Sequence, residues 1–203
     1  MHYSISHQTT EFDFLSITPR KKLLKHILLS VNKGLALVRL GKHEYAVEPG
    51  QVIWLPFDCL TSISYLPQTT VSLVEVSCRV QQAMPKQAGF VELNELATAI
   101  LNRLTTMEQA HELKLDLYRV FLSELSSLKP TLQQSALSQQ ISMWSPEQDS
   151  TLASDLQLAL KVREARRRIL SGEKEHQVVE RLFSGNQAAF NVMLESICGQ
   201  SHF

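Results

Sequence analysis

Pro49-Gly50-Gln51-Val52-Ile53-Trp54-Leu55-Pro56 is the stretch whose reading decides the fold of the front of the chain. Pro-Gly makes a tight turn, the apolar β-favouring run after it reads as a strand, and Pro56 stops that strand because it has no N–H to donate. Working towards the N-terminus, His43-Glu44-Tyr45-Ala46-Val47 is another strand, entered from a Gly41-Lys42 turn. Leu35 to Leu40 precedes it, and Asn32-Lys33-Gly34 separates that segment from Ile27-Leu28-Leu29-Ser30-Val31. Towards the C-terminus, Ser62 to Leu66 and Val71 to Val76 alternate with period two, as half-buried strands do. Five or six short strands joined by short turns predict a small antiparallel barrel or sandwich.

After Pro85 the period changes. Leu93, Leu96, Ala97, Ile100, Leu101, Leu104 and Met107 fall on one face of an amphipathic helix. Leu113, Leu117, Val120, Phe121, Leu125 and Leu128 repeat the pattern until Lys129-Pro130 ends it. This α-hairpin either packs on the strands or, through Leu113, Leu117, Phe121 and Leu125, forms a dimer interface. Thr131 to Ser154 is rich in Ser and Gln and reads as a linker with one short helix near Ala136–Trp144. Leu158, Val162, Ala165 and Ile169 then mark a longer helix closed by Ser171-Gly172. Glu175 to Leu182, the turn Phe183-Ser184-Gly185-Asn186, and Gln187 to Cys198 have the outline of a helix-turn-helix. The fold class is therefore α+β: a strand-built unit over residues 1–88, a helical hairpin over 89–130 and a helical unit over 131–203.

The chain has 203 residues, with 20 Lys+Arg against 20 Asp+Glu, so bulk charge supplies no attraction to nucleic acid or anionic lipid. No apolar run is long enough to span a bilayer, and Met1 to Thr10 shows no export signal. Cys59, Cys78 and Cys198 are far apart and odd in number, which reads as free thiols in a reducing cytoplasm. One cluster breaks the even charge: Lys161, Arg163, Arg166, Arg167 and Arg168 fall within eight positions beside a single Glu164. Three readings of it stay open: a solvated helix surface ion-paired to nearby Glu side chains, a phosphate-binding face, or a contact for an acidic partner.

With these parts in this order, the chain resembles the AraC/XylS-type transcriptional regulators. The Pro49–Pro56 stretch is similar to their cupin-like effector barrel. The α-hairpin sits where they dimerise. Val162 to Gly172, Val178-Val179, Leu182, Ala189-Phe190-Asn191 and Gly199-Gln200-Ser201 resemble their connecting helix and second helix-turn-helix. The resemblance implies a homodimeric DNA-binding regulator answering to a small-molecule effector in the N-terminal barrel, with no cofactor and no enzymatic activity. Three departures stand out. Only about thirty residues, 131–160, occupy the place of a first helix-turn-helix. The turn has Phe183-Ser184 where the family usually has a Gly-Phe pair, and the last helix has Val192, Glu195 and Ser196 where basic residues are usual.

That last helix contains no Lys or Arg, although phosphate neutralisation supplies much of DNA affinity. Gln187 and Asn191, four apart on one face, remain as base-reading candidates. Arg163, Arg166 and Arg167 are the candidate phosphate contacts. The departures leave a second reading, a module that has lost DNA binding and regulates an intact relative by forming a heterodimer. Effector candidates are Trp54, Phe57 and Tyr65 with His26 and Arg39 as polar anchors, unless the aromatics simply fill the core. A cupin-type metal site needs several His, but His43 is followed by Tyr45 and no His lies between Pro56 and His111, so no metal ligands are expected.

Overall fold

Alternation along the strands sorts their side chains onto two faces, and the layers of the protein follow from it. The structure, a computed structural model, describes residues 4–107 and 111–200. The strands are β1 (Ile5–Phe12), β2 (Ser16–Ile17), β3 (Lys21–Lys22), β4 (Lys25–Lys33), β5 (Ala36–Leu40), β6 (His43–Val47), β7 (Val52–Leu55), β8 (Leu60–Tyr65), β9 (Thr69–Ser77) and β10 (Gly89–Val91). The helices are α1 (Glu95–Thr106), α2 (His111–Ser126), α3 (Ala136–Met143), α4 (Ser154–Leu170), α5 (Glu175–Phe183) and α6 (Gln187–Cys198). One antiparallel sheet has the order β1-β9-β4-β7-β10 and the other β2-β8-β5-β6, with β3 also on β8.

Each strand divides its apolar residues by parity. In β7, Ile53 and Leu55 point between the sheets, while Val52 and Trp54 point at α1 and α2. In β5, Ala36 and Val38 face the same inter-sheet core, and Leu37 faces the C-terminal helices. The result is four layers: α1/α2, first sheet, second sheet, and α3–α6. The fold class is α+β, with antiparallel sheets and six helices among the described residues.

Among the described residues the sheets do not close into a barrel, which corrects the barrel part of the sequence reading. Their edges are taken by other groups. The His7 N–H on β1 donates to Tyr118 Oη of α2 at 3.0 Å. Phe90 of β10 exchanges two backbone hydrogen bonds with Thr131 on the strap between α2 and α3. The Ala46 N–H on β6 donates to Ser138 Oγ of α3 at 2.9 Å. Each of these contacts covers part of a strand edge that would otherwise be open to pairing.

The α-hairpin lies against the first sheet. Phe121 and Leu125 are wholly buried against the first sheet, and Leu117 packs at the margin of that core. Of the four residues assigned to a dimer interface, Leu113 alone faces outward, 46% exposed. The hairpin spends its strongest apolar stripe on its own protomer, because the sheet face carrying Leu28, Trp54, Val74 and Val76 needs cover.

Candidate nucleic-acid interface and sensor residues

The C-terminal unit forms where the sequence places it. Val178, Val179, Leu182 and Phe183 of α5 meet Phe190, Leu194 and Ile197 of α6 over Val162 and Ala165 of α4. Phe183 and Phe190 pack at 5.0 Å between ring centroids. The turn is made by two left-handed residues, Ser184 (φ 52°) and Gly185 (φ 76°). Asn186 then caps α6, its Oδ1 accepting from the Ala189 N–H at 2.9 Å. With its apolar face used, α6 presents Gln187, Asn191, Val192, Glu195 and Ser196 to solvent, and Val192 is 68% exposed.

The two base-reading candidates are together. Gln187 Nε2 donates to Asn191 Oδ1 at 3.0 Å and to Glu175 Oε1 at 2.9 Å. The face is therefore polar and mildly acidic, with amide groups able to exchange these partners for base edges. The candidate phosphate contacts are scattered by their own ion pairs. Arg163 forms a two-pronged bridge to Glu44 of β6, at 3.0 and 2.8 Å, with both side chains about one-fifth exposed. Arg167 grips Glu164 at 2.7 and 2.6 Å, and Arg168 reaches the same carboxylate at 2.8 Å. Burial opposes ionisation of Glu164, but the hydrogen bonds from Arg167 and Arg168 outweigh it and hold the carboxyl below its ordinary range. Lys161 lies over the Phe183 ring at 5.2 Å. Arg166 makes no ion pair among the described residues. It lies near Cys198, whose thiol burial pushes up to about 11 against the opposing pull of Arg166.

The five effector candidates are not gathered into one cavity. Trp54 is fully buried on the helix-facing side of the first sheet, its Nε1–H donating to the Pro85 carbonyl at 3.0 Å. His26 stacks on Trp54 at 5.3 Å and accepts the Phe57 N–H at Nδ1 (3.0 Å), while the Phe57 ring is largely open to solvent. Burial lowers the His26 pKa. Tyr65 lies on the other side of the sheet, between the two sheets, stacked on Phe12 at 4.0 Å. Its hydroxyl is pushed up to about 12 by burial. Arg39 points to solvent. The space meant for an effector is filled by Leu29, Val31, Val38, Ile53, Leu55 and Ile63. Trp54 and Tyr65 are buried core side chains.

Sequence reasoning missed Glu44, Ser138 and Tyr118, which join the layers. Among the described residues no group of three or more His, Cys, Asp or Glu is placed to hold a metal ion, and no helix is long and apolar enough to cross a membrane.

No protein-family model matches the chain, and no curated protein sequence matches it. Solved structures similar to it include ToxT from Vibrio cholerae (13% identity, 98% of this chain and 96% of that one, TM-score 0.41). An unsaturated fatty acid bound ToxT from the same organism is 11% identical, covers 98% of this chain and 94% of that one, and has a TM-score of 0.44. A cupin superfamily protein from Desulfitobacterium hafniense is 10% identical over 38% of this chain and 71% of that one, with a TM-score of 0.35. At these identities and scores the likenesses carry no functional argument.

Proposed function

We propose that the chain is a regulatory protein of AraC-like plan whose α5–α6 pair meets DNA through the outward face of α6. The observation that carries this reading is the geometry of that pair. Two short helices joined by a left-handed turn share one apolar seam, and the carboxamides of Gln187 and Asn191 stand exposed on the second helix. Carboxamides on such a face recognise adenine edges. Phosphate anchoring then falls to Arg166 and to whatever Arg167 contributes by turning from Glu164. The effector, in this reading, acts by favouring one of two placements of the helical unit over the other.

The test is DNA binding by the purified full-length protein to a pool of random duplexes at low salt, followed by titration of the selected sequence. Selection of a consistent sequence, lost in Gln187→Ala and Asn191→Ala, is the expected result. Arg166→Gln with Arg167→Gln is expected to weaken binding and flatten its dependence on salt. An unchanged salt slope removes those arginines as phosphate contacts.

A second reading is favoured by a separate observation. Arg163, Arg167 and Arg168 are ion-paired within the protomer, the last two to the one carboxylate of Glu164, and Glu195 stands exposed on the face that would approach phosphates. In that reading the protein regulates an intact relative by pairing with it and leaves DNA alone. No duplex retained at micromolar protein in low salt, together with a heterodimer formed on mixing, decides for it.

A further inference from the structure

An open groove of about 1360 Å3 runs between the helix-facing side of the first sheet and α1. The ends of β4 and α2, the start of β7, β10 and the strap after α2 complete its walls. Six carboxamides line it: Asn32, Gln51, Asn94, Asn102, Gln133 and Gln134. Ionised groups are few, and Glu124 is already held by Asn94 Nδ2 at 2.5 Å. The wall also contains unspent hydrogen-bonding capacity. The side chains of Ser30, which is 9% exposed, and of exposed Asn102 and Gln133 have no hydrogen-bond partner among the described residues. Gln134 Nε2 is buried and likewise without one. Beneath them the floor is apolar, formed by Val52, Val91, Ala97 and Leu101.

Each class of ligand can be weighed against that lining. An anion meets no arginine and one exposed lysine, Lys129. Asn32, Gln51 and Asn94 are already bonded within the protein, but a flat apolar molecule leaves Asn102, Gln133 and Gln134 unpaired, which costs the desolvation of each. A carboxamide offers a donor and an acceptor side by side, and so does each hydroxyl of a sugar. The C–H faces of a sugar ring cover apolar floor. The volume exceeds the usual range for one small ligand, roughly 300–1000 Å3, so several rings fit better than one. We propose that this groove binds a neutral oligosaccharide of about two to four rings.

The groove is also placed to report its occupancy. Its outer wall, the strap, is pinned to β10 by Phe90 and Thr131 and runs on into α3, where Ser138 holds Ala46 of the second sheet. Calling the sugar an effector rests on the regulatory reading above; its binding does not.

The experiment screens the full-length protein on an array of neutral oligosaccharides, with uncharged peptides as a parallel array. The tightest glycan is then titrated by calorimetry into the wild type, Asn102→Ala, Gln133→Ala and Thr98→Trp. All three positions are exposed on the groove wall. The expected result is saturable binding with a Kd below about 1 mM, weakened about tenfold by each alanine and abolished by the tryptophan. If Thr98→Trp melts far below the wild type, the two alanine variants decide. Retention of no neutral glycan overturns the proposal. So does retention of peptides or acidic glycans alone, or glycan binding indifferent to these substitutions. Failure to bind DNA leaves the result standing, and sugar binding is measured without DNA, so the two readings fail separately.

Discussion

Ser184 takes a left-handed backbone, φ 52°, that a residue with a Cβ adopts at a cost of roughly 1–2 kcal/mol. Its position is the cap of α5, where glycine is the usual solution. Ser184→Gly is expected to stabilise the protein by about 0.5–1 kcal/mol in urea unfolding, after the greater freedom of glycine in the unfolded chain is offset. A loss of stability would mean that the Ser184 side chain contributes more than the strain it causes. His7 poses a second problem at this scale. Burial first, and the charge of Lys114 second, hold its imidazole down to about 4, and its Nε2 is buried without a partner among the described residues. The unfolded chain takes up this proton near pH 6.5. Between those two values the unfolded state binds a proton that the folded state refuses, so stability is complete above the window and falls as pH drops through it. His26, lowered by burial, adds in the same direction. The urea midpoint is expected to be lower at pH 5 than at pH 7.5, and the difference to shrink in His7→Gln. An undiminished difference in that variant would assign the acid sensitivity elsewhere.

Elements here are joined by single polar side chains laid across strand edges and helix faces. Glu44 of β6 and Arg163 of α4 tie the second sheet to the helical unit with two hydrogen bonds. Removing one partner leaves the other charge partly buried and unpaired, so Arg163→Ala is expected to cost about 1–3 kcal/mol. A double-mutant cycle with Glu44→Ala should return a coupling of about 1–2 kcal/mol, against less than about 0.5 kcal/mol for a solvent-screened pair. This link was not legible in the sequence, because helix periodicity gives the face on which Arg163 lies but not the strand it meets 119 positions away. The elements themselves were mostly legible. β4 to β9 carry apolar residues at period two or in short runs between turns, and the Ser184-Gly185-Asn186 punctuation set the limits of α5 and α6. β1 escaped because it is an edge strand: between Ile5 and Phe12 it carries Ser, His, Gln, Thr and Glu, with no apolar alternation to read. β2 and β3, two residues each, are held by β8 and have no pattern of their own.

For the whole molecule the decisive fact is that the helical unit does not hang from a linker. Leu37 and Ala46 of the second sheet and Leu66 just beyond it belong to the same apolar core as Leu160, Val178, Phe190 and Leu194. The Leu15 N–H donates to the Ile197 carbonyl at 2.7 Å, and the Phe14 ring lies against Gly199, where an added Cβ would fall 2.7 Å from it. The sequence suggested three successive units because the apolar period changes after Pro85 and the composition after Pro130. Composition reports what a segment is made of and is silent on what its apolar face covers. Leu37 is the instructive case: it lies on the face of β5 opposite Ala36 and Val38, and that face is beneath α3–α6. Shared burial couples the stabilities of the layers, since neither the sheet face nor the helices can be exposed without losing the same contacts. Calorimetry is therefore expected to show one unfolding transition, with equal calorimetric and van't Hoff enthalpies. Deleting residues 151–203 should uncover the Leu37, Ala46 and Ile141 surface and produce a protein that binds a hydrophobic dye and aggregates. Two resolved transitions, or a truncated protein that stays monomeric and dye-silent, would show that the helical unit folds on its own and that its contact with the sheet contributes little. In that event the regulatory reading proposed above could not rely on the tie between α4 and β6 to carry a signal, and would need a change in linker geometry instead.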